Sequence, residues 1–312
     1  FGFFFQPRRF IPSTIDPLDT KIISMFWVFR STICLTHLEI NCLSIPLPLL
    51  VNSAEPIFTT QRLFFIIFSL LTNNGKGIDK QLIARWVEQI VDLQTQNIDI
   101  ILVSSGSIVE GMKRLGWTEK PNDIHKLQAA AAVGQMGLIQ AYEYLFAKHD
   151  IHTAQVLLTQ DNLTDANRFE NISSTLENLL EFGTVPVINE NDTVATEEIK
   201  FGDNDTLAAL VANLISADKL IILTDQKGVF DDDPRNNSEA NLIHKIRFDD
   251  EKLVRVAGKT SGSLGSGGMY SKVMAAKQAA ESKTPTHIAW GREEEILTRI
   301  HSGEHIGTII HC

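Results

Sequence analysis

From about Phe64 to the C-terminus one pattern repeats: a short apolar run, a cluster of polar residues, then a stretch of helical character. The run IDIILVSS (98–105) is continuously apolar until its end and reads as a strand buried on both faces. HTAQVLLT, TVPVIN, KLIILTD, THIAW and the terminal GTIIHC read as further strands, and residues 123–148 as a long helix. Strands alternating with helices predict an α/β fold, a three-layer αβα sandwich around a mostly parallel open sheet. In such sheets ligands bind beyond the carboxyl ends of the strands. The polar residues that directly follow each apolar run are therefore the ones that can carry chemistry.

The beginning of the chain does not share the pattern. The first seventy residues hold eleven of the 17 Phe and one of the 19 Gly, with no clean alternation or helical stripe up to about Pro56. Residues 1–63 are expected to be an atypical extension, not native to the gene or not folded with the core. Residues 64–312 are expected to form one domain. The apolar run LFFIIFSLL in the junction is about half the length that spans a bilayer, which argues against a membrane protein. A formal charge of -10 argues against a nucleic-acid binder driven by bulk electrostatics. Cys34, Cys42 and Cys312 cannot build a disulfide framework and lack metal-ligand spacing, so nothing points to an oxidising compartment and a cytoplasmic location is expected.

Five segments offer site residues. In VSSGSIVEG (103–111) a strand ends at Ser104-Ser105-Gly106 and a helix follows, so free N–H groups face an incoming anion; a serine-capped turn is the plainer alternative. VPVINENDTV (185–194) delivers Asn189, Glu190, Asn191 and Asp192 together, and Asp192 offers a partner to an ammonium group. In KFGDNDTLAALVANLI (200–215), Asp203, Asn204 and Asp205 precede an Ala/Leu-rich helix, more polar groups than one cap requires. LIILTDQKGVFDDDPR (220–235) ends a strand in Thr224-Asp225; its acidic loop lacks the glycine and distal glutamate of a calcium-binding helix–loop–helix. TSGSLGSGGMYSKVMAAKQAAES (260–282) runs a Gly/Ser-rich loop into a helix bearing Lys272, a phosphate-cradling arrangement that is not a Walker A loop.

Taken together and in this order, INENDTVATEEIKFGDND, LTDQKGVFDDDPR, GSGGMYSK, VSSGSIVEGMKRLG, KLQAAAAVGQ and SLLTNNGKGID make the chain similar to the glutamate 5-kinase branch of the amino acid kinase family. The resemblance implies transfer of the ATP γ-phosphoryl group to the side-chain carboxylate of L-glutamate, the opening step of proline biosynthesis. It divides the domain at about residue 215 into a glutamate-binding and an ATP-binding half. Ser105, Asp192 and Asn204 then correspond to glutamate-binding residues. Thr224, Asp225, Ser266, Gly267, Gly268, Met269, Tyr270, Ser271 and Lys272 correspond to the ATP set. Lys272 corresponds to the lysine that neutralises the transferred phosphoryl, and Asp205 to the carboxylate that holds catalytic lysines. Magnesium is expected to arrive with ATP, with no metal site of the protein's own. The family's habits make homo-oligomers the expected state and proline a candidate feedback inhibitor. A glutamate carboxylate has a reference pKa near 4.3 and is already an anion at neutral pH, so the reaction calls for positioning and charge cancellation and needs no base.

Two departures matter. The resemblance places a Lys-x-Gly turn at the end of the first strand, and the chain has Phe65 and Ile67 there. Losing such a charge-stabilising donor costs about 2.7–4 kcal/mol, so a weakened kinase or an inactive glutamate and nucleotide binder is a competing expectation. Some relatives also continue into an RNA-binding-like PUA domain, which this chain is expected to lack.

Overall fold

The computed structural model describes residues 62–68, 71, 77–194, 204–260 and 268–312, all of which fall in the compact unit Phe58–Cys312. The expected extension up to residue 61 lies outside the described residues, as do Ser266 and Gly267. Among the described residues there are eight strands: β1 Arg62–Phe68, β2 Ile98–Ser104, β3 Thr153–Leu158, β4 Val185–Glu190, β5 Lys219–Thr224, β6 Lys245–Arg247, β7 Thr286–Trp290 and β8 Thr308–His311. The helices among the described residues are α1 Lys80–Thr95, α2 Ser107–Arg114, α3 Ile124–Phe146, α4 Gln160–Thr164, α5 Ala166–Glu181, α6 Asn204–Leu214, α7 Glu251–Thr260, α8 Met269–Glu281 and α9 Ile296–His301.

The strands form one sheet in the order β3-β4-β2-β1-β5-β7-β8-β6. Every neighbouring pair is parallel except β7 with β8, so the sheet is mostly parallel with a reversed edge pair. The three-layer architecture expected from the alternation of strands and helices is therefore present. β6 escaped the sequence reading for a simple reason: of its three residues only the middle one, Ile246, is buried, too little to leave a pattern.

The apolar run that stood out as a possible membrane segment is the centre of the sheet. β1 pairs with β2 on one side and β5 on the other. Its side chains alternate between two apolar layers. Phe64, Ile66 and Phe68 pack with Leu82, Trp86 and Ile90 of α1 and with Tyr142 of α3. Phe65 and Ile67 pack with Leu207 and Val211 of α6 and Met269 and Val273 of α8. A strand covered on both faces must be apolar throughout, and that is why it imitates half a membrane span. No helix among the described residues is long and apolar enough to cross a membrane.

The order of strands creates the crevice. The chain leaves β1 for β2 on one side and reaches β5 on the other, so the strand ends of β1, β2, β4 and β5 open onto a common rim. Phe68, Ser104, Glu190 and Thr224 are the last residues of those strands. Helices α2, α6 and α8 begin beside that rim.

Candidate active site

The end of β2 turns sharply into α2. Gly106, the N-cap residue, has φ +94°, a backbone state that costs a glycine little and other residues much. No side chain caps α2, so its first N–H groups stay available. Ser105 donates from Oγ to the Phe68 carbonyl at 2.9 Å and ties the ends of β1 and β2 together. Behind the turn, buried Tyr142 places its hydroxyl 3.3 Å from Ser104 Oγ, and burial pushes the Tyr142 phenol well above its ordinary value.

Helix α2 is held against α3 by two glycines. A methyl group on Gly134 would stand 1.7 Å from the Ser107 carbonyl oxygen, and one on Gly111 would stand 1.7 Å from that of Ala130. Gly134→Ala is expected to push α2 off α3 at a cost of about 1–3 kcal/mol, the usual penalty of overpacking. Urea denaturation measures it, and a midpoint equal to that of the unsubstituted chain is the outcome that contradicts the contact.

A cavity of about 200 Å³ opens in front of α2. Ser105, Gly106, Ser107, Asn189, Glu190, Asp192 and Asn204 line it, together with Ile108, Val109, Met112 and Lys120. Three candidate residues from three separate segments, Ser105, Asp192 and Asn204, thus meet in one space. Ser107 Oγ donates to Asp192 Oδ2 at 2.7 Å. Burial raises the pKa of Asp192 and the Ser107 hydrogen bond lowers it by less, so the carboxylate is held short of a full counter-charge. Asn204 donates from Nδ2 to the Ser104 carbonyl at 2.9 Å, while its Oδ1 is buried with no partner among the described residues. Asn189 donates to Gln135 Oε1 at 2.7 Å and is fixed from behind by α3.

One residue further along α6 the chemistry changes. Lys272 Nζ lies 2.9 Å from Asp205 Oδ2, with both side chains under 5% exposed. Ser271 Oγ lies 2.9 Å from the same carboxylate oxygen and 2.9 Å from the Gly268 carbonyl. Gly268 caps α8 without a side-chain hydrogen bond, so the first turn of α8 presents N–H groups beside a buried cation. A cation and free N–H groups at one helix start suit a phosphate. Met269 contributes backbone only to that rim, because its side chain is buried in the core. Tyr270 is exposed. Thr224 and Asp225 stand at the end of β5, joined by a 3.1 Å hydrogen bond, and neither lines the 200 Å³ cavity.

The sequence reading passed over Ser107, Gln135 and Lys120. Ser107 sits inside a quoted motif but looks like an ordinary first-turn residue. Gln135 is a helix-interior residue whose partner is 54 positions away. Lys120 lies on a loop with no pattern of its own.

The chain is 57% identical over 242 residues to the glutamate 5-kinases of Hydrogenovibrio crunogenus and Pseudomonas syringae pv. syringae, which covers 78% of this chain and 64% and 65% of those proteins. It therefore spans a little under two thirds of their length. Among solved structures, UMP kinase from Bacillus anthracis matches with a TM-score of 0.53 at 15% identity, over 80% of this chain and 96% of that one. UMP kinase from Ureaplasma parvum matches with a TM-score of 0.54 at 17% identity, over 81% and 99%. At such identities the likeness speaks for the fold alone. Residues 69–289 match the model of the amino acid kinase family, and with a mostly parallel sheet whose strand ends carry the matched polar clusters, the chain belongs to that family.

Proposed function

We propose that this chain transfers the γ-phosphoryl group of ATP to the side-chain carboxylate of L-glutamate, giving γ-glutamyl phosphate for proline biosynthesis. The observation that carries the reading is the adjacency of Asn204 and Asp205. Asn204 borders a cavity of amino-acid size with Asp192 in its wall, and Asp205 holds the buried Lys272 at the start of α8. Names borne by relatives at 57% identity support the same substrate.

In this reading Asp192 pairs with the α-ammonium, Ser105 and Asn204 orient the amino acid, and the side-chain carboxylate faces α8. The nucleophile is already ionised, so no residue has to remove a proton from it. Lys272 and the first N–H groups of α8 cancel charge as two anions approach in line. Asp205 fixes where Lys272 Nζ stands. Magnesium carried by the nucleotide phosphates would supply further charge neutralisation there. A second reading rests on Phe65 and Ile67, which are fully buried and apolar where the resemblance implies a phosphate-binding lysine and a glycine. On that reading the chain binds glutamate and nucleotide with weak turnover.

Coupled measurement of ADP release tests the proposal with L-glutamate, N-acetyl-L-glutamate, carbamate and UMP as acceptors. L-glutamate alone is expected to support turnover, because N-acetylation removes the charge that Asp192 faces. Asp192→Asn is expected to raise the KM for glutamate at least tenfold, about 1.4 kcal/mol. The same change is expected to stabilise the empty protein. With its pKa raised on folding, Asp192 holds its proton to higher pH in the folded than in the unfolded chain. Its favourable contribution is present at low pH and is lost as pH rises through the raised value, so at neutral pH the ionised group costs stability. A KM unmoved by the substitution, or turnover with N-acetylglutamate equal to that with glutamate, contradicts the role given to Asp192.

A further inference from the structure

Among the described residues, the cavity wall holds one cation. Glu190 and Asp192 are its acidic lining residues and Lys120 its basic one. Lys120 lies on the connection between α2 and α3, followed by Pro121, and it shares the lining with Ser107, Ile108 and Val109 of the first turn of α2. Lys272 is not part of that lining and lies beyond Asn204, paired to the next residue of α6, Asp205, where α8 starts. One lysine thus lines the cavity on the α2–α3 side, and a second is held next to its α6 edge. Asp192, two residues beyond β4, is tied to the first turn of α2 by its bond to Ser107.

We infer that Lys120 is a specificity-determining residue that binds the α-carboxylate of the amino acid, with the uncapped first turn of α2 beside it. The inference rests on the glutamate reading and deepens it. An amino dicarboxylate has two anionic ends and one cationic centre near one of them. The α-carboxylate is bonded to the same carbon as the ammonium, so it must lie next to Asp192. The first turn of α2 is next to Asp192, because Ser107 touches it at 2.7 Å. The side-chain carboxylate must lie toward Lys272, where the phosphoryl group arrives. That leaves the α-carboxylate at the wall of α2 and Lys120. Lys120 places a positive charge in a lining that also carries Asp192, so that the anionic end of the ligand meets an opposite charge there. A flexible, well-hydrated ammonium on an open loop suits this task, since it closes on the ligand without having to be buried beforehand.

Isothermal titration calorimetry of the full chain with L-glutamate and with L-isoglutamine, its α-carboxamide, tests the inference. The unsubstituted chain is expected to bind glutamate at least tenfold more tightly than isoglutamine. Lys120→Met is expected to weaken glutamate binding at least tenfold and bring the two ligands within about threefold of each other. Lys120→Arg is expected to keep the preference. Circular dichroism confirms that the variants fold. If the unsubstituted chain binds glutamate and Lys120→Met keeps both its affinity and its preference, the inference is overturned while the proposed function stands. If the unsubstituted chain binds no glutamate, the proposed function fails and the inference with it.

Discussion

Replacing Lys272 by methionine is expected to cut turnover at least a hundredfold, about 2.7 kcal/mol, and to lower stability by about 3–5 kcal/mol. Both effects start from one contact. Lys272 Nζ sits 2.9 Å from Asp205 Oδ2 in a site that excludes water. Removing the lysine leaves a buried carboxylate without its charge partner, although the Ser271 hydroxyl still donates to it. The phosphoryl group would also meet no cation at the start of α8. Stability and catalysis are separable here by a second substitution. Lys272→Met with Asp205→Asn removes both charges and is expected to regain most of the lost stability while turnover stays low. Urea denaturation and ADP release on Lys272→Met, Asp205→Asn and the double variant measure the two effects. If the double variant is as unstable as the sum of the singles, the pair is not the unit described above.

Phe65→Lys combined with Ile67→Gly is expected to raise turnover per folded molecule at least tenfold. The register explains how two core residues come to matter. Phe65 lies level with Ile101 and Leu220, and Ile67 with Val103 and Ile222, one residue before β1 ends. Both point into the layer formed by α6 and α8, whose first turns carry Asp205 and Lys272. A lysine at 65 has the reach to run along that face to the rim, and a glycine at 67 clears the last step. The same pair costs stability, because trimming Ile67 alone leaves a cavity worth about 2–5 kcal/mol. Turnover must therefore be divided by the folded fraction, read from near-ultraviolet circular dichroism. A corrected rate equal to that of the unsubstituted chain would falsify the idea that these two positions limit catalysis, and would favour some other donor for the phosphates.

Parts of the fold were legible early because burial leaves a local mark. A parallel strand covered on both faces needs an unbroken apolar run, and IDIILVS and KLIILT show it within a few residues of their observed ends. β1 carries the same mark, yet composition before it hid its place as the central strand. β6 carries almost none. Among the residues that line the cavity, Asp192 and Asn204 stood in polar clusters larger than a turn or a cap requires, while Ser105 stood out only through the family resemblance. Ser107 and Lys120 were not, since a serine in a first helical turn and a lysine before a proline are ordinary surface choices.

The amino-acid sequence by itself determined the class of the sheet, the order of the polar clusters and the rim on which they fall, because each follows from apolar periodicity over a handful of neighbours. Tertiary structure decided which of those groups share a space. Lys272 and Asp205 are 67 positions apart and Asp192 and Ser107 are 85 apart, and no local pattern encodes a contact across such distances. Such pairs exist only once the helices dock on a finished sheet and force polar atoms to satisfy one another away from water.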